Sequence, residues 1–429
     1  MNSSNRLALS LASLALALSC GGQGSKTARP AFANGGLLAA ATPVPDASLE
    51  ALRGRYSVAS GQDRFGTMVA FDHAPDTLSL FAAPNAAYAV TRAGCIDGGT
   101  RLVLEGYWRY ATTDDTGLVR LFASPPSAAQ ALCNGTLADT TGLELAGTAG
   151  VGSEEPSEPL QFALQSPLRG QAATPFNVVA HRGGCRTSDN CGASENSVEV
   201  IRLAQSLGAS AVEVDVRTTL DAVPVLYHDD NFNPRLTKGV YCHGPVSEFT
   251  FAHVQALCEL TNGEPIPTLD DALQAVLDST RLRAVWLDVK TVSAMAPSIA
   301  AAKKYTNRSP ATGRQLQIVV GLSDSDLLDA YLQSPRPPGT SCLVELEPDD
   351  ARRAGCKVWA PRWTRGPMSA DVRQMQSEGY NVAFWTLDEP EFIDVFLEQA
   401  HPNGLLTNRP GLVFQRFQAV GVQPEGPVQ

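Results

Sequence analysis

Residues 208–230 read GASAVEVDVRTTLDAVPVLYHDD, and this stretch decides the fold. Glu213 and Asp215 stand two apart in a run of Ala and Val. Alternate residues of a strand share a face, so both carboxylates point the same way. The apolar neighbours are those of a parallel strand covered on both faces. A charge buried there needs a partner or a metal. The segment VPVLY then runs into His228 and Asp229. The pattern recurs on either side. FNVVAHRG (176–183) ends in His181 and Arg182, with Glu195 and Asn196 opening the next helix. RAVWLDVK (283–290) carries Asp288 and Lys290, again two apart and on one face. Four strand ends with ionisable groups are therefore expected to meet.

From residue 176 onward, short apolar strands alternate with helical segments such as SVEVIRLAQSLG, LDDALQAVLDS, DSDLLDAYLQS and PEFIDVFLEQA. That rhythm predicts an α/β fold with a parallel sheet. The polar residues gather just past the strands, where a TIM-type (β/α)8 barrel keeps its active site. A doubly wound sheet would need a Gly-rich phosphate loop after its first strand, and HRGGC is not one. Residues 48–150 differ: GRYSVAS, TLSLFAA, AYAVTRAG, RLVLEGYWRYAT and GLVRLFAS alternate or are rich in aromatic and β-branched residues, with ATTDDTG as a hairpin connection. They read as an N-terminal all-β accessory domain. The expected organisation is a signal peptide (1–20), a tether (21–47), the all-β domain (48–150), a linker (151–175), the α/β barrel (176–415) and a tail (416–429).

The first twenty residues have the shape of a secretory signal. Arg6 precedes the short apolar run LALSLASLALALS, which stops at Cys20 and is too short to span a membrane comfortably. LALSC resembles a bacterial lipobox, which predicts lipidation of Cys20 and membrane contact through that anchor alone. The other eight of nine cysteines fall into near neighbours: Cys95 with Cys133, Cys185 with Cys191, Cys242 with Cys258, Cys342 with Cys356. Sequential disulfides in an oxidising compartment are expected, rather than a zinc site, since no C-x-x-C pair exists. With a formal net charge of −11 and no Lys/Arg run, the chain lacks the clustered cations that nucleic acid requires.

The segments VVAHRGG, SENSVE, the 208–230 stretch, PTLDDAL, WLDVK, VAFWTLD and GLLTNRP occur in the order of the glycerophosphodiester phosphodiesterase family. The chain resembles that family over roughly residues 176–412. The resemblance implies that His181 and His228 are the acid/base pair, that Glu213, Asp215 and Asp288 hold a divalent cation, Mg or Ca, and that Arg182 and Lys290 contact the phosphate. Glu195 is similar to the family's helix-start Glu, which supports the site, and Trp385 to a late-strand Trp that lines the pocket. The residue types agree: an all-oxygen ligand set suits a hard cation, and imidazoles move protons near neutral pH. The expected substrate is a small-molecule or lysolipid phosphodiester, cleaved to glycerol phosphate and an alcohol. The pattern departs in places. Asp288 replaces the usual Glu, Ser194 a Pro, Ala222 a Gly and Asn408 an Asp. Asp288 is also similar to the sphingomyelinase D relatives, so a phospholipase D-like lyase forming a cyclic phosphate stays an alternative, as does an envelope binding protein with weak turnover. His73, His253 and His401 read as structural, and His243 as a residue of the substrate-facing insertion.

Overall fold

Strand β1 (Gly54–Ser60) opens an antiparallel run continued by β2 (Met68–Ala74), β3 (Thr77–Ala82), β4 (Ala87–Ile96), β5 (Arg101–Tyr110), β6 (Thr116–Ser124), β7 (Glu144–Ala149) and β8 (Glu158–Ser166). In the computed structural model, which describes residues 29–168, 176–336 and 339–419, β8 pairs back onto β1 and closes a barrel. The signal segment and Cys20 lie outside the described residues. Alternation explains the barrel. In β5, Leu102, Leu104 and Trp108 join the packed interior with Tyr56, Phe71 and Phe162, while Glu105, Tyr107 and Arg109 take the other face, as the strand period requires.

Two expected boundaries shift. Residues 158–166, read as linker, form the closing strand. EPLQFALQS carries Leu160 and Phe162 at spacing two, both buried. The end of the expected tether is also ordered. Ala33–Ala40 forms helical turns against the barrel, where the Leu38 amide donates to the buried Glu105 carboxylate at 3.1 Å. The helix Pro410–Ala419 likewise runs into the stretch read as tail.

The second barrel is parallel. Its strands are β9 (Asn177–Ala180), β10 (Ala211–Thr218), β11 (Ala284–Val289), β12 (Gln317–Leu322), β13 (Ser341–Val344), β14 (Val358–Trp359), β15 (Asn381–Phe384) and β16 (Gly404–Thr407). They follow one another in chain order, and β16 pairs with β9 to close the ring of a TIM barrel. Each strand is followed by a helix. Thr268 starts the helix Leu269–Ser279 with a reciprocal cap: its hydroxyl accepts from the Asp271 amide and its own amide donates to Asp271, which satisfies two end groups of that helix. Val212, Val214, Leu287 and Val320 face the helices, and Val179, Trp286, Val319 and Leu406 fill the interior.

One sequence reading needs correction here. VPVLYHDD does not supply a barrel strand. Pro224–Leu226 folds back antiparallel on β10, with Val216 opposite Leu226, so the third barrel strand is Ala284–Val289. Apolar alternation alone does not distinguish a returning strand from a parallel neighbour. His228 still arrives beside Asp215, because the reversal brings the chain back along β10 (Tyr227 amide to Asp215 carbonyl, 3.1 Å).

All four disulfides join sequential cysteines, in keeping with an extracellular, oxidising setting. No helix among the described residues is long and apolar enough to cross a membrane. The two barrels share an apolar face. Phe81 and Tyr88 pack with the Cys185–Cys191 loop, Val200 and Leu207, and Phe81 meets Phe414 edge-on at 5.3 Å.

Candidate active site

The carboxylates of Glu213 and Asp215 project from β10 into the barrel mouth, and Asp288 projects from the adjacent β11 at the same level, directly opposite Asp215 in register. Glu213 and Asp215 are 1% and 0% exposed. One oxygen of each of the three lies within 4.8 Å of the others. Glu213 Oε1 and Asp288 Oδ1 have no hydrogen-bond donor, while the Lys290 ammonium stands 2.9 Å from Asp215 Oδ1 and 2.5 Å from Asp288 Oδ2. Burial, then the charges of Asp215 and Asp288, push the Glu213 carboxyl well above its usual range. Burial also raises Asp288. For Asp215 burial works upward, but Lys290 and the two histidines outweigh it and hold the group at about 2. Three clustered carboxylates with one ammonium are short of positive charge. Their oxygens form the all-oxygen donor set that a hard divalent cation takes.

His181 follows β9. Its Nδ1 lies 2.7 Å from Asn408 Oδ1, and the Asn408 amide nitrogen donates to Asp388 at 2.6 Å. Asn408 therefore presents an acceptor, so the imidazole proton sits on Nδ1 and Nε2 keeps its lone pair toward the cleft, 3.8 Å from Glu213 Oε2. Burial depresses this imidazole to about 4. His228 donates from Nδ1 to Asp229 at 2.7 Å. Asp229 is in turn held by Arg235 (2.6 and 2.7 Å) and Asn233 (2.8 Å), and the His228 carbonyl accepts twice from Arg217.

Support runs back through the first loop. The Arg182 amide donates to Glu213 at 2.7 Å, and its guanidinium to Glu195 at 2.6 Å. Glu195 accepts from the Thr187 amide at 3.0 Å. Asn196 clasps Asp215 from below, donating to Oδ2 at 2.6 Å and accepting the Asp215 amide at 3.1 Å. It does so at a φ of 60°, a conformation asparagine tolerates better than most residues. Trp385 donates to the Ala360 carbonyl at 2.8 Å and carries the Arg362 guanidinium on its ring at 4.6 Å.

An open cleft of about 620 Å³ brings together His181, Arg182, Glu213, His228, Asp288 and Lys290, with Trp385 on its wall. Asp215 and Glu195 are buried and do not line it. His243 does not line it. Sequence reasoning gave no role to Asp229, Asp388 or Glu345. Asp229 and Asp388 stand inside motifs that could have flagged them, HDD and FWTLD. Glu345 lines the same cleft, and burial, then the charge of Asp288, push it up to about 8.

Comparison with known proteins bears on the same segment. The model of the glycerophosphoryl diester phosphodiesterase family matches residues 181–412, more than half of the chain. The chain belongs to that family. Members are phosphoric diester hydrolases, and all the strand-end residues above lie within the matched span. A probable glycerophosphodiester phosphodiesterase 2 of Mycobacterium tuberculosis is 28% identical over 238 residues, covering 51% of this chain and 83% of the relative. Human glycerophosphodiester phosphodiesterase 1 is 34% identical over 123 residues, 27% of this chain and 34% of the relative. A crystal structure of a glycerophosphodiester phosphodiesterase from Parabacteroides distasonis superposes with a TM-score of 0.44 at 22% identity, covering 55% of this chain and 93% of that one. The glycerophosphodiesterase match begins after β8, so the small antiparallel barrel lies outside it.

Proposed function

We propose that this glycerophosphodiesterase hydrolyses its diester to glycerol phosphate and an alcohol with a divalent cation, Mg or Ca, on Glu213, Asp215 and Asp288, and with His181 and His228 as the proton-transfer pair. One observation carries the reading: three clustered carboxylates, two of them with an oxygen that no donor reaches, share the barrel mouth with two imidazoles, each held at Nδ1. A cation bound there would polarise a phosphoryl oxygen and offset the negative charge of the diester.

The remaining work falls to the side chains. Lys290 and Arg182 bind the phosphate, each already oriented by a carboxylate. His181 accepts a proton at Nε2 from the attacking water, since Asn408 fixes its Nδ1 proton. His228 carries the proton for the leaving alkoxide. Its partner Asp229 is a carboxylate, whereas the partner of His181 is a neutral amide. Glu195 supports the site by holding Arg182, and Trp385 lines the pocket for the alcohol or lipid arm. The chemistry belongs to residues 176–415. The protein works outside the cytoplasm, anchored by lipid on Cys20, and a lysolipid diester is a substrate within its reach. Four disulfides and the leader-shaped N-terminus support that placement.

The test is a product-resolved assay on glycerophosphocholine and lysophosphatidylcholine. Linear glycerol phosphate or lysophosphatidic acid with free choline is expected. A cyclic phosphate as the final product would assign the lyase chemistry instead.

A further inference from the structure

Among the described residues, seven large apolar side chains stand exposed, and five of them lie at the end of the parallel barrel that carries the catalytic cleft. Leu220 stands just past β10 and Val292 just past β11. The Thr218 and Ser293 hydroxyls, 2.5 Å apart, bring those two stretches together. Phe392 opens the helix Pro390–Gln399 after β15 and packs at 5.0 Å on Trp363, which follows β14. Val240 and Tyr241, 84% and 69% exposed, form the tip of the segment between His228 and the helix Leu269–Ser279. Hydrogen bonds seat that segment on the cleft end: the Leu220 amide donates to the Phe249 carbonyl at 2.8 Å, and the Ser194 amide to Glu264 at 2.9 Å. The Cys242–Cys258 disulfide holds the tip.

Exposed apolar side chains scattered singly call for no explanation, but gathered on one face they mark an interaction surface. What covers this face follows from where the N-terminal segment leads. Arg29, the first described residue, donates to the Cys191 carbonyl at 3.3 Å. Cys191 belongs to the loop after β9, at the same end of the barrel. Residues 20–28 alone separate Arg29 from a lipid on Cys20, and so short a stretch reaches at most about 30 Å. The anchor therefore keeps the cleft end close to the bilayer. A formal net charge of −11 offers anionic headgroups no attraction. The contact then falls to the apolar side chains, with Tyr241 suited to the headgroup level.

We infer that the cleft end of the parallel barrel is a membrane-docking face. Val240, Tyr241, Leu220, Val292 and Phe392 enter the headgroup region of a zwitterionic lipid surface and turn the cleft toward diester lipids in it. The inference rests on the reading above of a lipid-anchored diesterase.

The test is sedimentation with phosphatidylcholine vesicles of the full chain carrying Cys20→Ser, which removes the lipid attachment site, so that binding reports the protein surface alone. This protein is expected to bind. Adding Val240→Ser with Tyr241→Ser should weaken partitioning at least about tenfold, and Leu220→Ser should weaken it in part. Val151→Ser, at a comparably exposed position just past β7 of the antiparallel barrel, should leave it within about twofold. No binding by the Cys20→Ser chain, or an equal loss in Val151→Ser, overturns the docking face. A concentration-dependent dimer that Val240→Ser with Tyr241→Ser disperses also overturns it, since the face then belongs to a second copy. If the paired change lowers the melting temperature, Leu220→Ser and Phe392→Ser carry the comparison, and unchanged partitioning in both overturns the inference. Turnover of soluble glycerophosphocholine is measured separately and should stay within about twofold in all these variants, because none of the side chains lines the cleft. Its absence in the parent counts against the diesterase reading and not against the docking face.

Discussion

At the scale of single residues, the two imidazoles differ in what holds them. His181 leans on an amide that is itself held by Asp388, and His228 leans on a carboxylate. Replacing either by Ala should cut turnover by at least about 10²-fold with the fold intact, since acid–base groups typically contribute ~10²–10⁴-fold. The double variant should lose far less than the product of the two, because either change breaks one proton relay. Steady-state kinetics on the natural diester checks this, and near wild-type rates in both single variants would reduce the histidines to orienting groups. The depressed His181 has a further consequence. Its pKa is about 4 in the folded protein against an ordinary 6.5, so between those values the unfolded chain binds more protons and acidification costs stability. His181→Gln should therefore flatten the fall in melting temperature between pH 6.5 and 4. An unchanged slope would mean that burial does not keep this ring neutral.

Individual elements show what the sequence makes legible. Glu213, Asp215, Asp288 and Lys290 were readable because charges at spacing two inside apolar strands have few alternatives to a shared site. Glu345 was not readable. It sits in LVELEPDD, where Glu347, Asp349 and Asp350 belong to the start of the helix Pro348–Ala354, and an acid at a strand end looks the same as the acids that favour a helix N-terminus. Whether it faces inward depends on where β13 stops, which pattern reading does not fix. The loop after β9 was legible through its cysteines, but its mechanical role appears only in the contacts. The disulfide closes a six-residue separation, Thr187 within it exchanges hydrogen bonds with Glu195, and Glu195 holds Arg182. Replacing Cys185 and Cys191 by Ser should thus raise KM several-fold, with a smaller change in kcat, because the loosened loop releases the phosphate-binding guanidinium. An unchanged KM would detach the loop from substrate binding.

Across the whole molecule, the fold class followed from strand–helix rhythm, whereas the joint between the barrels did not. Phe81 reads as one more strand residue, yet it is fully buried against Phe414 and against Gly411, where a Cβ would lie 2.6 Å from the Phe81 ring. The Arg29 guanidinium adds a hydrogen bond to the Cys191 carbonyl at 3.3 Å, and Asn190 donates to Asp114 at 3.0 Å. The antiparallel barrel thus braces the loop that carries Arg182. Phe81→Ala should cost about 3–5 kcal/mol, the usual loss for truncating a buried Phe, and lower the calorimetric melting temperature. If the melting curve does not move, the two barrels do not stabilise each other.

The central claim is that Glu213, Asp215 and Asp288 hold the cation on which hydrolysis depends. The most direct measurement is release of glycerol phosphate from glycerophosphocholine by protein stripped with excess chelator, then after Mg or Ca is returned, with metal content determined alongside. The account predicts that turnover disappears with the metal, returns with it, and stays absent in Asp215→Asn at the same metal concentration. Full turnover by metal-free protein in excess chelator would contradict it.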